Sequence, residues 1–375
     1  MIPFVDLGAQ YRAMQPELEE SVLRVMRSGQ YILGPEVEAL EKELADFAGV
    51  SHCVSCASGT DALVIALMAK GVGPGDAVFT SPFTFMASAE AIALVGATPV
   101  FVDIDETTFN ISPPKLRLAI EAVSRTGDLI PRGIIPVDLF GLPADYPAIQ
   151  RIADEFELFV IEDAAQSFGA SLDNRRTGAL AEIACTSFFP AKPLGAYGDG
   201  GALFCGEEAL DGLFRSIRVH GQGNDRYEHV RLGITGRLDA IQAAILRVKL
   251  REFEKEVAER NRVARSYDRL IRHHGVDVRV PHVPEGMSSA WAQYSVLARD
   301  GEVRKSMQAR LAEKAIPTAI YYPKPLHLQP AFIHLGYATG DMPVSEDCGS
   351  RIFSLPMHPY LDDDTIATIV EAMAV

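Results

Sequence analysis

From residue 52 onward the chain alternates two hydrophobic rhythms. Short apolar runs at 53–56, 77–81, 98–102, 134–137 and 158–161 are rich in strand-forming residues. Between and around them lie longer stretches at 60–69, 85–95, 113–123 and 146–156, where apolar residues recur three and four apart. The first pattern suits buried strands and the second amphipathic helices. Their alternation predicts an α/β fold, a mostly parallel sheet covered by helices on both faces. Runs at 184–188 and 202–205 read as further strands of that sheet. Upstream, 16–27 and 36–47 read as amphipathic helices joined by a loop that carries Tyr31 and ends in Gly34-Pro35. Downstream, 220–236 is polar and aperiodic and reads as a long loop. Residues 237–272 then read as one long helix, or two with a bend.

A smaller α/β unit is expected after that helix. Its strands fall near 276–280 and 292–296, followed by a helix over 303–315 and a turn-rich stretch over 317–326. Helices near Glu346 and over 365–374 complete it. This places a large unit over 1–250 and a small C-terminal unit over 251–375, divided within the long helix.

Charge and composition narrow the function. A formal net charge of −15 over 375 residues argues against nucleic acid or an acidic membrane as partner. Five cysteines, an odd number in a long chain, do not form a disulfide framework. The start shows no basic-then-apolar signal pattern, and no apolar run is long enough for a membrane span. The expectation is a soluble cytoplasmic protein.

Ligands on open α/β sheets gather beyond the carboxyl ends of the strands, and three such ends carry chemistry. After Cys56 comes Ala57-Ser58-Gly59-Thr60-Asp61, a small polar turn opening a helix. It reads as an ordinary N-cap or as a phosphate cradle built on the helix dipole. After Ile161 comes Glu162-Asp163-Ala164-Ala165-Gln166, a carboxylate at the mouth of a buried strand. After Thr186-Ser187-Phe188-Phe189-Pro190 comes Lys192, one lysine among apolar residues, prolines and glycines. Taken alone, that segment is either a surface turn or a desolvated amine. An anion cradle, a carboxylate and an amine at one sheet edge form the set that pyridoxal phosphate requires. The cofactor needs backbone donors for its phosphate, an acid for its ring nitrogen and a Schiff-base lysine.

Other motifs carry less. Cys53 and Cys56, three apart on a strand, point to opposite faces and do not share a ligand. Gly71, Gly73 and Gly75 precede a strand and form a turn, not a dinucleotide fingerprint. The nine histidines show no metal-ligand spacing, so no metal is expected. The charge run from Arg251 to Arg262 reads as a solvated helix face.

With those residues in place the chain resembles, over essentially its whole length, the DegT/DnrJ/EryC1/StrS sugar aminotransferases, a branch of the fold-type I pyridoxal-phosphate enzymes. The stretches Gly29 to Val37, Glu162 to Ala170, Cys185 to Pro190 and Lys192 to Gly195 are most similar to the branch that aminates a UDP-linked 2-acetamido-2-deoxy-hex-3-uluronate. That branch takes its amino group from L-glutamate, leaving 2-oxoglutarate, and serves O-antigen synthesis. The resemblance implies that Lys192 binds the cofactor and shuttles protons. It implies that Asp163 pairs with the ring nitrogen, Gln166 with the ring oxygen, and Phe85 stacks on the ring. Gly59, Thr60, Asp61 and Ser187 would hold the phosphate, and Gly29, Tyr31, Arg237, Tyr321 and Tyr322 would meet the nucleotide sugar. Arg237 would reach the partner's site, which implies a homodimer with shared active sites. Thr235 stands where many relatives have an asparagine given across the dimer to the phosphate. Ala191 and Tyr321 stand where the similar branch has serine and histidine. Three rivals follow: an aminotransferase of a dTDP-3-keto-6-deoxyhexose or a UDP-4-keto sugar, a sugar dehydratase, and a non-catalytic regulator. Lys192 speaks against the dehydratase, which has histidine there. The absence of a basic reading element speaks against the regulator.

Overall fold

The computed structural model describes residues 2–374. Two helices lead, α1 (Leu7–Ser28) and α2 (Pro35–Ala48). The alternating region follows as β1 (His52–Cys56), α3 (Gly59–Ala69), β2 (Asp76–Thr80), α4 (Ala87–Leu94), β3 (Thr98–Phe101) and α5 (Pro113–Thr126). It continues as β4 (Ile130–Ile135), α6 (Tyr146–Glu155) and β5 (Phe159–Asp163). Two short strands, β6 (Ser171–Leu172) and β7 (Arg175–Arg176), precede β8 (Ile183–Ser187), β9 (Gly201–Cys205) and α7 (Glu208–Arg218). The long α8 (Ala240–His273) leads to β10 (Val278–Arg279), β11 (Met287–Ser288), β12 (Tyr294–Ala298) and α9 (Gly301–Glu313). The chain closes with α10 (Pro343–Arg351), β13 (Ile352–Leu355) and α11 (Asp363–Met373).

Seven strands form the main sheet in the order β1-β9-β8-β5-β4-β2-β3. β9 runs antiparallel to both its neighbours, and the other pairs are parallel. The period-two burial is visible residue by residue. Val54, Val78, Ile135, Ile161, Ile183 and Leu203 face one core with α3 and α7. Cys53, Ala184 and Phe204 face the opposite side, against α2 and α8, while Phe79, Ile134 and Val160 meet α5 and α6. Cys53 and Cys56 therefore lie on opposite faces, as their spacing requires. Three antiparallel strands, β10-β12-β13, form the sheet of the C-terminal region.

Several expectations shift. α1 begins at Leu7, well before residue 16, because Asp6 caps it by accepting the Ala9 amide at 2.7 Å and Pro16 sits inside the helix. α4 starts at Ala87, leaving Phe85 in the preceding turn. The strand expected over 276–280 shrinks to Val278–Arg279, and that over 292–296 moves to Tyr294–Ala298. α7 was readable from Leu210, Phe214 and Ile217, four and three apart, whereas β6, β7 and β11 are too short to show any period. The charge run on α8 is not a purely solvated face. Glu256 and Arg260, one turn apart, are buried. Glu256 accepts from Gln10 and Tyr360, and Arg260 donates to the Trp291 carbonyl.

Candidate active site

Cys56, Asp163 and Ser187 end β1, β5 and β8, which point the same way, so their trailing turns share one edge of the sheet. Antiparallel β9 begins at that edge with Gly201, between β1 and β8.

The first turn of α3 is built as a cradle. Ser58 caps the helix, its hydroxyl accepting the Asp61 amide at 3.0 Å. The Gly59 and Thr60 amides, at the first two helical positions, have no intrahelical acceptor. The approach is too close for side chains: a Cβ on Gly59 would lie 2.7 Å from Ser187 Cβ, and one on Gly201 2.4 Å from the Ser58 carbonyl oxygen. The Gly236 carbonyl accepts from the Ala57 amide at 3.0 Å and brings Thr235 to the flank of this turn. There the Thr235 hydroxyl is 2.7 Å from His220 Nε2.

Asp163 is buried at the end of β5. Its Oδ2 accepts from the Ser88 hydroxyl at 2.8 Å and its Oδ1 from the Ala165 amide at 3.2 Å. Burial raises its pKa above the ordinary aspartate value, while those two donors and the Lys192 charge oppose the rise. Lys192 shows the mirror effect: burial lowers its pKa, and Asp163 opposes the fall. An amine and a carboxylate thus lie near enough to influence each other in a weakly solvated setting, each closer to neutrality than in water.

Gln166 is oriented by a backbone donor. The Phe140 amide gives its hydrogen to Gln166 Oε1 at 2.9 Å, which leaves Nε2 to donate to the Tyr322 hydroxyl at 3.3 Å. Tyr322 packs edge-on against Phe83, with centroids 6.4 Å apart. Tyr321 lies beside it and is half-buried. Phe85 stands out from the buried 81–84 turn with 57% of its surface exposed.

Gly29, Tyr31 and Arg237 form a second group. Gly29 ends α1 in the left-handed region at φ 70°. The Tyr31 carbonyl accepts from the Ala240 amide at 2.8 Å, and Ile32 bridges Asp239. Arg237 Nε is buried with no partner among the described residues. No hydrogen bond among the described residues joins this group to Lys192 within the chain.

Three contributors had no sequence signal. Ser88 lies inside α4, and nothing in its neighbours marks it. Asp138 is fully buried behind Asp163 and accepts from the Ala144 amide, Tyr146 and Ser167; burial pushes it up to about 7 against those donors. Lys249 of α8 is buried against the lysine segment.

The model of the DegT/DnrJ/EryC1/StrS aminotransferase family matches residues 12–374. The chain belongs to that family. It is 48% identical, over 100% of its length and 99% of the relative's, to the UDP-2-acetamido-2-deoxy-3-oxo-D-glucuronate aminotransferase of Pseudomonas aeruginosa. It is 43% identical, over 100% and 98%, to a protein of Geobacillus stearothermophilus named pleiotropic regulatory protein. A UDP-N-acetyl-3-dehydro-alpha-D-glucosamine 3-aminotransferase of Acidithiobacillus ferrooxidans is 40% identical, over 98% and 96%. Among solved structures, a DegT DnrJ EryC1 StrS aminotransferase from Brucella abortus superposes with TM-score 0.96 at 48% identity, covering 100% of this chain and 98% of that one. NtdA from Bacillus subtilis, solved with bound cofactor PMP, superposes with TM-score 0.87 at 28% identity, covering 96% and 82%.

The fold is that of the fold-type I pyridoxal-phosphate aminotransferases, and the donor set suits that cofactor. The crowded glycine cradle with free amides fits a phosphate, the buried carboxylate fits a protonated ring nitrogen, and the Nε2 amide of Gln166 fits a ring oxygen.

Proposed function

We propose that this aminotransferase moves the amino group of L-glutamate to the 3-keto carbon of UDP-2-acetamido-2-deoxy-3-oxo-D-glucuronate, for O-antigen or lipopolysaccharide synthesis. The observation that carries the reading is the buried Asp163 carboxylate, with the desolvated Lys192 amine near enough to restrain it, at the sheet edge that also bears the Gly59 cradle, in a chain 48% identical over its full length to an enzyme of that name.

Pyridoxal phosphate, when bound, would supply the electron sink that makes the donor's α-proton removable. The protein supplies the rest. The Gly59 and Thr60 amides and the Ser187 hydroxyl hold the phosphate, with Asp61 and Thr235 at its flanks. Asp163 keeps the ring nitrogen protonated, and Ser88 and the Ala165 amide fix that carboxylate. Gln166 Nε2 would donate to the ring oxygen, and Phe85 would pack against the ring. Lys192 Nζ, with its lowered pKa, takes the α-proton from glutamate and returns one at C3 of the sugar. Gly29, Tyr31, Tyr321 and Tyr322 line the sugar's approach, and Arg237 meets its diphosphate or uronate charge.

The same reading includes a homodimer in which Arg237 serves the partner's site, and a cytoplasmic setting. No helix among the described residues is long and apolar enough to cross a membrane. It also keeps the division into a cofactor-binding unit over 1–250 and a smaller unit over 251–375. Its support is that Ala243, Ala244 and Leu246 of α8 pack with the large sheet, whereas Val263, Tyr267 and Ile271 pack in the C-terminal core.

A second reading keeps the chemistry and exchanges the sugar, because the relative at 40% identity is named for a keto sugar without the uronate. The regulator reading is disfavoured by the buried Asp163 carboxylate with a desolvated amine near it, which a passive structure has no reason to hold. The test mixes purified protein, pyridoxal phosphate, glutamate and enzymatically generated 3-keto UDP-uronate. The expected result is loss of the visible cofactor band with glutamate and its return with that sugar, giving a 3-amino product by mass. Loss without return moves the substrate to another keto sugar, and no band at all overturns the assignment of Lys192.

A further inference from the structure

The segment that carries Lys192 is closed on itself. The Lys192 amide donates to the Phe189 carbonyl and the Ala196 amide to the Phe188 carbonyl, both at 2.8 Å. A Cβ on Gly195 would lie 2.4 Å from the Pro190 carbonyl oxygen. A turn packed this tightly moves as one body, so what holds its far end sets where Lys192 stands. The far end is held by two side chains of α8.

Lys249 Nζ donates to the Gly195 carbonyl at 2.6 Å and lies 3.9 Å from the centroid of the Tyr197 ring. Gln242 holds the next residues on both sides: its Oε1 accepts the Tyr197 amide at 2.9 Å, and its Nε2 donates to the Tyr197 carbonyl at 3.4 Å. A Cβ on Gly198 would lie 2.9 Å from Gln242 Nε2, so the backbone there is pressed against the side chain. Gln242 and Lys249 are seven residues apart, about two helical turns, and so project from one face of α8.

Lys249 is 1% exposed, and burial lowers its pKa to about 8. An ammonium in such a place is costly unless it makes a specific contact. A methionine would fill the same space without that cost, but it would offer nothing to the Gly195 carbonyl.

We propose that Gln242 and Lys249 form a clasp on α8 that positions the Lys192 turn, and thereby sets the placement and proton affinity of the Lys192 amine. Neither touches the reacting atoms; both act through the backbone of residues 195–198. The inference rests on Lys192 being the cofactor-binding amine.

The test compares wild type with Lys249→Met and Gln242→Leu. Gln242 is only partly buried, so its variant keeps the fold even where the lysine replacement does not. Two readouts are needed. Hydrogen exchange in the cofactor-free protein reads the clasp itself, and the amides of residues 196–198 are expected to exchange faster in both variants. In the reconstituted protein, the pH at which the visible cofactor band changes reads the Lys192 nitrogen. It is expected to move by about half a unit or more, with kcat falling about tenfold and KM for glutamate within about twofold. A variant that loses only melting temperature, with the band's titration and kcat unchanged, overturns the proposal. Unchanged exchange at 196–198 overturns it as well. A wild-type protein without the band would instead overturn the role of Lys192, and with it the consequence claimed for the clasp, while the exchange data would still report whether the clasp exists.

Discussion

At the scale of single residues, burial does most of the chemistry. Lys192 and Asp163 owe their shifted proton affinities first to desolvation, and each then restrains the other. On the proposed assignment, removing the amine removes both the point of attachment and the proton carrier. Lys192→Ala is therefore expected to bind pyridoxal phosphate without its visible lysine-bound band and to lose turnover by at least about a thousandfold. A mutant with normal transamination rates would sink that role. Burial also acts where no chemistry is assigned. His358 is buried, and its pKa falls from 6.5 to about 4, chiefly by desolvation, with Arg260 adding to the fall and Asp6 opposing it. Because the folded-state pKa lies below the unfolded one, the unfolded chain takes up the proton first as pH falls. Stability is then lost between about 6.5 and about 4, by ~3 kcal/mol at most from this group. His358→Gln is expected to shrink the fall in denaturant midpoint between pH 7 and pH 4.5; an identical fall in both proteins would show that His358 contributes nothing to it.

At the scale of elements, the site depends on how closely α3 approaches β8. Gly59 leaves no room for a methyl against Ser187, so Gly59→Ala must push the first turn of α3 away from the strand end. Overpacking of this kind costs about 1–3 kcal/mol. The expected outcome is a folded protein with a lower melting temperature and cofactor affinity weaker by about tenfold or more. Wild-type affinity, measured by spectral titration of the cofactor-free protein, would mean that the cradle lies elsewhere. The sequence was informative about elements in proportion to their length and period. The strands of the main sheet and their trailing turns were legible, because alternating burial and small polar turns leave local marks. Ser88, Asp138, Gln242 and Lys249 were not, because each is defined by a partner far along the chain. The same reason explains the charge run on α8. Glu256 and Arg260 are buried by Gln10, Tyr360 and Trp291, residues that no local pattern connects to them.

At the scale of the whole molecule, the residues proposed to meet the substrate fall into two groups that no hydrogen bond joins among the described residues. Gln166 and Tyr322 are linked to each other beside Asp163, whereas Gly29, Tyr31 and Arg237 gather where the 29–34 loop meets the start of α8. Tyr31 and Ile32 of that loop are exposed apolar residues, as are Tyr227, Val230 and Leu232 in the 220–236 loop that leads to Arg237, with Leu232 87% exposed. Arg237 has a buried Nε without a partner among the described residues. On the proposed reading, a two-fold dimer that covers this surface brings each Arg237 to the other subunit's Lys192, and a self-complementary interface makes that exchange reciprocal. The arrangement can be tested by complementation. Lys192→Ala and Arg237→Ala homodimers are each expected to be nearly inactive. In a mixed dimer, however, one site would carry both defects and the other neither. Equal mixing with free exchange of subunits would then restore about a quarter of wild-type activity. If both residues serve the same subunit's site, every site in every mixed dimer carries a defect and no activity returns. Native mass spectrometry of the mixture, which resolves the mixed dimer from the two homodimers by mass, shows whether subunits have exchanged, so that a silent mixture of exchanged dimers counts against the shared site.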